Sequence, residues 1–264
     1  MLVPVAYYGA TSSHEPEPWA SLRTLDAHSL SFASGDPSRL LFGHHQGVFE
    51  SRDGGRTWTD LRADADAMGM QIGPDGSTFI AGHLVFKAST DGGRTWTDVV
   101  NDLPNTDIHG FARDPVEPTR MWAYLATGGV FESTDTGAHW QQVFADNVLY
   151  LNAVSASTGT RLIGVDFNGL SASADGGRTW QTTGAPPDYP ISSLTASPDG
   201  VVVLLGSPSG LYRSDDGGMT WASTGFREQP FAIAIANGGK TVALVTRFGS
   251  FYRSDDGGRT WPGS

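Results

Sequence analysis

Short runs in which apolar and polar residues alternate recur along the whole chain. Residues 47–50 and 210–213 are two such runs. Two further strand-like runs, residues 107–112 and 121–125, are separated by turn residues at 114–118. An alternation with a period of two is typical of β-strands. No segment keeps a helical period of 3.6 residues for long, because glycine or proline interrupts each candidate. The pattern therefore predicts an all-β protein.

An eight-residue motif, Ser-x-Asp-x-Gly-x-x-Trp, interrupts this alternation at regular intervals. The Ser and Asp side chains can hydrogen-bond to the backbone of a turn, and the Gly supplies a conformation with positive φ. The motif, called the box from here on, therefore predicts a hairpin turn whose Trp anchors the outgoing strand. The boxes lie at residues 51–58, 89–96, 133–140, 173–180, 214–221 and 254–261.

Successive boxes begin 38, 44, 40, 41 and 40 residues apart, and the intervals hold further strand-like runs. Four strands in about 40 residues are typical of one blade of a β-propeller. The expected fold is a six-bladed β-propeller of four-stranded antiparallel blades, built from a single domain that spans residues 1–264. The blades are expected near residues 26–65, 66–104, 105–148, 149–188, 189–229 and 230–264.

The last box ends at Trp261, which leaves almost no room for the outermost strand of the sixth blade. Residues 19–22 resemble residues 221–224, where such a strand begins. Residues 19–25 are therefore predicted to supply the missing strand and close the ring, with residues 1–18 as an N-terminal arm. Ser12 lies seven residues before Trp19, which is the spacing of a box, so a seven-bladed ring is the less favoured alternative.

The six boxes resemble the Asp-box, or BNR repeat, of sialidases, of the sortilin ectodomain and of a photosystem II assembly factor. The resemblance implies a β-propeller in which the boxes are folding devices, placed on the rim and away from the binding face. It also implies an extracellular or periplasmic location. Because a fold does not determine a function, the resemblance leaves the activity open.

The composition of the chain argues against several kinds of partner and binding site. The chain has 28 acidic and 17 basic residues, a net charge of −11, which argues against nucleic acid. The absence of cysteine excludes disulfides and thiolate metal sites. No apolar stretch reaches the length of about 18 residues that a membrane span needs, and no signal peptide is recognisable in the sequence. A monomer is expected.

The boxes allow the other loops to be sorted by face. In a propeller, the loops between blades and the turns between the second and third strands of each blade open around the mouth of the central channel. Five of the seven histidines are predicted on this face, and aligning the innermost strands places a methionine beside them. These residues are His28, His44, His45, His83, His109 and Met68.

Imidazoles that converge on one part of the mouth form a candidate site for a copper or zinc ion, and a methionine among them would favour copper. The alternative is that they are separate polar loop residues that bond to backbone or water. Clustered imidazoles would also be sensitive to pH near 6. The sequence leaves these interpretations open.

The other half of the mouth carries candidate residues for an exo-acting glycoside hydrolase of sialidase type. Sialidases use arginines to grip a carboxylate, a Tyr–Glu pair as nucleophile and base, and an Asp as acid. Tyr189 with Glu228 could form such a pair, Arg227 and Arg247 could bind an anion, and the acid could be Asp64 or Asp66. A third arginine and the Arg-Ile-Pro motif of sialidases are missing from this pattern.

The sequence therefore predicts a non-enzymatic scaffold for binding or assembly, with a protein or glycan ligand at the channel mouth. The first alternative is the glycoside hydrolase. The second is a protein whose function is to bind copper or zinc.

Overall fold

The computed structural model describes residues 16–24, 26–73 and 75–261. Most of the predicted N-terminal arm, including Ser12, lies outside these residues. The strands are β1 Ala20–Ser21, β2 Ala27–Ala33, β3 Asp36–His44, β4 Gly47–Ser51, β5 Thr59–Asp60, β6 Gly69–Ile72, β7 Thr78–Gly82, β8 Val85–Ser89, β9 Thr97–Asp98, β10 Ile108–Arg113, β11 Met121–Leu125, β12 Gly129–Ser133, β13 Gln141–Phe144, β14 Leu149–Ala156, β15 Gly159–Asp166, β16 Gly169–Ser173, β17 Gln181–Gly184, β18 Ser193–Ala196, β19 Val203–Ser207, β20 Gly210–Ser214, β21 Ala222–Ser223, β22 Pro230–Ala236, β23 Thr241–Thr246 and β24 Ser250–Ser254.

The strands form six antiparallel sheets of four strands each, which confirms the predicted six-bladed β-propeller. Blades one to five are β2–β5, β6–β9, β10–β13, β14–β17 and β18–β21, and blade six is β22–β24 with β1. A single 3-10 turn, Asn237–Gly239, is the one helical element among the described residues. Within that part of the chain, no helix is long and apolar enough to cross a membrane.

The N-terminal strand closes the ring, as the sequence predicts. Ala20 and Ser21 pair with Phe251 and Ser250 of β24. The backbone N–H of Leu22 donates to the carbonyl of Gly249 at 2.7 Å, and the Leu22 side chain is buried. The last blade therefore takes its outermost strand from the opposite end of the chain, which covers an edge that would otherwise be open.

The core is divided among the six interfaces between neighbouring blades. The cluster around Phe42 and Phe251 joins blade one to blade six, and the cluster around Phe79 and Phe111 joins blade two to blade three. The other four clusters join the remaining pairs of neighbours. Each sheet thus buries both faces, which explains why the inner strands read as nearly continuous apolar runs.

Each box forms a turn tied by its own side chains. In the first box the hydroxyl of Ser51 accepts the N–H of Gly55 at 2.8 Å, and Asp53 accepts the N–H of Thr57 at 2.9 Å and its hydroxyl at 2.6 Å. The indole N–H of Trp58 donates to the carbonyl of Gly55 at 2.9 Å. Because these polar groups bond to one another, they stabilise the turn and are not free to bind a ligand.

Candidate functional site

Neighbouring strands of a blade run in opposite directions, so the loops between blades share one end of the propeller with the β3–β4 turn and its equivalents. This end is called the mouth face below. The boxes join the third strand of each blade to the fourth and so lie at the opposite end, the box face. The central channel between the innermost strands holds a cavity of about 710 Å³, and His28, Met68 and His109 are among its lining residues.

The loop between blades one and two carries Asp66 into the mouth. Arg62 and Asp64 in this loop have positive φ angles of 51° and 44°, which turn the chain back toward the channel. The hydroxyl of Ser29 donates to the carbonyl of Ala67 at 2.7 Å and fixes the loop to blade one. Because a Cβ on Gly82 would lie 2.0 Å from the carbonyl oxygen of Asp66, only glycine at that position lets the loop approach blade two.

The structure brings four of the five predicted mouth histidines together, along with two aspartates. This group is called the histidine sector and consists of His28, His45, His83, His109, Asp66 and Asp107. The ring centroids of His28 and His45 are 5.9 Å apart, those of His45 and His83 are 6.4 Å apart, and those of His83 and His109 are 4.8 Å apart. The sector therefore spans blades one to three without a break.

Asp66 is the centre of the sector. Its carboxylate lies 3.4 Å from His28 Nε2, 3.6 Å from His45 Nδ1 and 2.6 Å from His83 Nδ1. Asp107 extends this series of contacts, because its carboxylate lies 3.8 Å from His83 Nε2 and 3.1 Å from His109 Nε2. Carboxylates thus alternate with imidazoles across three blades.

The deepest part of the sector has polar atoms that no described residue satisfies. Asp66 is only 8% exposed, and its Oδ1 atom and the Nε2 atom of His28 are buried without a hydrogen-bond partner. Burial lowers the pKa of His28, against the opposing effect of Asp26 and Asp66. The lowered pKa favours the neutral imidazole, whose free nitrogen is an electron-pair donor.

His44 and Met68, which were predicted for the same site, have other neighbours than the four histidines of the sector. His44 is buried and stacks on Phe49 at a centroid distance of 4.7 Å, and burial lowers its pKa. Adjacent residues at the end of a strand project in different directions, so the His44 ring packs on Phe49 while the His45 ring lies beside those of His28 and His83. Met68 is half-buried beside β6 and lines the channel wall, as His28 and His109 do.

The residues predicted for a glycoside hydrolase make other contacts or are exposed to solvent. Glu228 accepts a hydrogen bond from the hydroxyl of Tyr252, whereas Tyr189 is 60% exposed. Arg247 lies 6.0 Å from the ring of Phe231. None of the candidate catalytic residues lines the channel cavity; these are Tyr189, Glu228, Asp64, Asp66, Arg227 and Arg247.

Sequence reasoning missed the aspartates as partners of the histidines, although a signal was present. Asp26 precedes His28 by two residues, Asp66 precedes Met68 by two, and Asp107 precedes His109 by two. The same offset in three successive blades repeats one carboxylate position around the mouth. Blades four to six have no aspartate there, which confines the sector to one half of the ring.

Exposed apolar side chains lie on the same face. Of the nine large apolar residues that are exposed among the described residues, only Val116, Val201 and Met219 lie on the box face. The other six lie on the mouth face: Leu84, Val100, Leu149, Phe167, Tyr189 and Phe248. Phe167 and Phe248 are 101% and 83% exposed at the tips of equivalent turns in blades four and six.

The fold defines the class: the chain is a six-bladed β-propeller, and the comparisons confirm the resemblance of its repeats to those of BNR-type propellers. Two family models match parts of it, each less than half. The DUF6242 beta propeller domain matches residues 81–199, and the photosynthesis system II assembly factor YCF48 matches residues 147–264. None of the curated proteins compared with the chain matches it.

Solved structures with the same fold include YCF48 from Cyanidioschyzon merolae, with 18% identity over 92% of this chain and 87% of that chain and a TM-score of 0.57. A structure of YCF48 bound to D1 peptide has 16% identity, coverage of 89% and 95%, and a TM-score of 0.60. A gluconolactonase from Xanthomonas campestris has 12% identity, coverage of 90% and 88%, and a TM-score of 0.68. At these identities the likeness shows the fold alone.

Proposed function

We propose that the chain is a non-enzymatic binding scaffold that holds an extended segment of a partner protein on its mouth face. The observation that carries the proposal is the concentration of exposed apolar side chains on that face. Exposed apolar side chains that gather on one face are more indicative of an interaction surface than ones scattered over the whole molecule. The aromatic rings of Phe167, Tyr189 and Phe248 are the type of side chain that anchors protein interfaces.

Charge indicates the kind of segment that fits. Carboxylates outnumber arginines on the loops of the mouth face. The acidic residues are Asp26, Asp64, Asp66, Asp102, Asp107, Asp146, Asp166, Asp188 and Glu228, and the arginines are Arg23, Arg62, Arg227 and Arg247. A segment that carries aromatic or aliphatic side chains together with basic ones would complement this surface.

The comparisons support the same class of ligand. YCF48 shares the propeller fold, and one of its solved structures holds a D1 peptide. An assembly role outside the cytoplasm, in the extracellular space or the periplasm, follows from the family resemblance and is part of the proposal. A glycan ligand and the glycoside hydrolase are less well supported, because Glu228 is engaged by Tyr252 and the proposed acid Asp66 by histidines.

Peptide selection tests the proposal. Peptides from a random displayed library are selected on the immobilised protein, and their affinity is then measured for a Phe167→Ser/Phe248→Ser variant. Both side chains are exposed, so the variant should fold normally. We expect a loss of affinity of about tenfold or more, because the two rings would be the anchors of the interface.

The matched control is Val201→Ser/Met219→Ser, which removes two exposed apolar side chains from the box face. It should bind the selected peptides as the unsubstituted protein does. Peptides that bind both variants equally would contradict the proposal. Turnover of a fluorogenic sialoside that Tyr189→Phe abolishes would replace it with the glycosidase alternative.

A further inference from the structure

We infer that the histidine sector binds a zinc ion between His28, His45 and Asp66. This site is separate from the apolar anchors of the proposed peptide surface, and the protein alone should bind the ion. The two proposals can therefore fail independently.

The spacing of the three side chains suits a zinc ion. Their candidate ligand atoms all lie within 4.8 Å of one another. His28 Nε2 is 3.4 Å from Asp66 Oδ1, and His45 Nδ1 is 3.6 Å from Asp66 Oδ2. With metal–ligand bonds of about 2.1 Å, two ligand atoms on a tetrahedral zinc ion lie about 3.4 Å apart. The nearest carboxylate oxygen to His45 is Oδ2, and because the His45 side chain is exposed its ring can rotate toward Oδ1.

An ion would also satisfy the two buried atoms that lack partners. A nitrogen and a carboxylate oxygen that face each other without a shared proton are costly to bury. His28 Nε2 and Asp66 Oδ1 are such a pair, at the deepest point of the sector. A divalent cation between them accepts an electron pair from each.

The surrounding groups hold the carboxylate in place, as outer partners do at known zinc sites. His83 Nδ1 donates to Asp66 Oδ2 at 2.6 Å, and His83 Nε2 faces Asp107. Asp66 is thereby fixed from the side of blade two, while Oδ1 stays free toward His28. The loop that carries it is fixed to blade one by Ser29.

The donor atoms favour zinc over copper(I). Two imidazole nitrogens and one carboxylate oxygen are borderline and hard ligands, whereas copper(I) prefers thiolate or thioether sulfur. Met68, the one sulfur predicted for the site, lines the channel wall and is not part of this ligand set. Three protein ligands leave a fourth position for water, because His45 is 60% exposed and opens the site to solvent.

Zinc binding to protein purified without a histidine tag tests the inference. The protein and its variants are equilibrated against zinc with a chromophoric competitor, and bound zinc is measured by elemental analysis. We expect one zinc ion per chain. Separate His45→Ala, His28→Gln and Asp66→Asn variants should each bind zinc at least about 100-fold more weakly, since losing a ligand costs more than losing an outer partner.

Three histidine controls locate the ion. His139→Ala removes an exposed histidine that pairs with an aspartate on the box face. His14→Ala removes the one histidine outside the described residues. Both should keep the full affinity. His109→Ala, in the neighbouring group of His83, Asp107 and His109, should keep most of it.

The His45 side chain is exposed, so His45→Ala leaves the core intact and a loss of zinc binding in this variant does not come from misfolding. Thermal unfolding verifies that all variants are folded. Loss of zinc in His109→Ala with retention in His28→Gln would overturn the assignment. Absence of zinc binding by the unsubstituted protein would overturn it as well, and would leave the sector a network of contacts between imidazoles and carboxylates. Copper(I) bound in preference to zinc would contradict the choice of metal.

Discussion

Asp66 contacts three histidines from two blades, although it was predicted only as a candidate acid of a glycoside hydrolase. The histidines could be predicted because the boxes fix the register of each blade and hence the face on which each loop lies. The direction of individual side chains could not be predicted, since it depends on the twist at the strand ends. His44 shows this, because it ends β3 beside His45 but stacks on Phe49.

The box aspartates make a prediction about acid stability. Hydrogen bonds from the hydroxyl and the backbone N–H of Thr57 lower the pKa of Asp53 to about 2. The equivalent carboxylates of the other boxes also have a pKa of about 2: Asp91, Asp135, Asp175, Asp216 and Asp256. A depressed folded-state pKa contributes stability that is complete above the unfolded value of about 3.9 and is lost as the pH falls toward 2.

We therefore expect the urea midpoint to be nearly constant above about pH 5 and to fall steeply between about pH 4 and pH 2. An Asp53→Asn/Asp216→Asn variant should be less stable at neutral pH and should show a shallower fall. A variant whose fall is as steep as that of the unsubstituted protein would show that the carboxylates of the boxes do not determine acid stability.

At the scale of elements, the strand β1 has only two residues, yet it closes the ring by completing blade six. Its prediction rested on a missing strand after Trp261 and on the likeness of residues 19–22 to residues 221–224. Both are patterns that a repeat protein makes visible, because every blade must contain the same elements. The bounds of the outer strands were less predictable, since β5 and β9 have two residues each and pair only at the rim.

Two adjacent residues test the closure. Leu22 is buried among residues of blades one and six, whereas Ser21 is exposed. Leu22→Asp should lower the free energy of unfolding by about 3 kcal/mol or more, because it removes apolar burial and places a charge in the interface. Ser21→Asp should change it by about 0.5 kcal/mol or less.

Thermal and urea unfolding measure both variants. Light scattering should also show association of Leu22→Asp, since loosening β1 exposes the edge of β24. Equal stability of the two variants would mean that the N-terminal strand does not close the ring in solution.

At the scale of the whole molecule, the two faces of the propeller differ in kind. The box face consists of turns whose polar groups bond to one another, while the mouth face collects exposed apolar side chains and the histidine sector. The repeat predicts the ring and its faces from sequence alone. The ligand could not be predicted, because a propeller is a scaffold on which different loops carry different functions.

Hydrogen–deuterium exchange, with and without a selected peptide, tests the central claim most directly. Bound peptide should slow exchange in loops of the mouth face, at residues 83–84, 167–168 and 247–249, by shielding them from water. Exchange in the boxes at residues 53–57 and 216–220 should be unchanged. Protection confined to the boxes, with none in the mouth loops, would contradict the assignment of the mouth as the binding face.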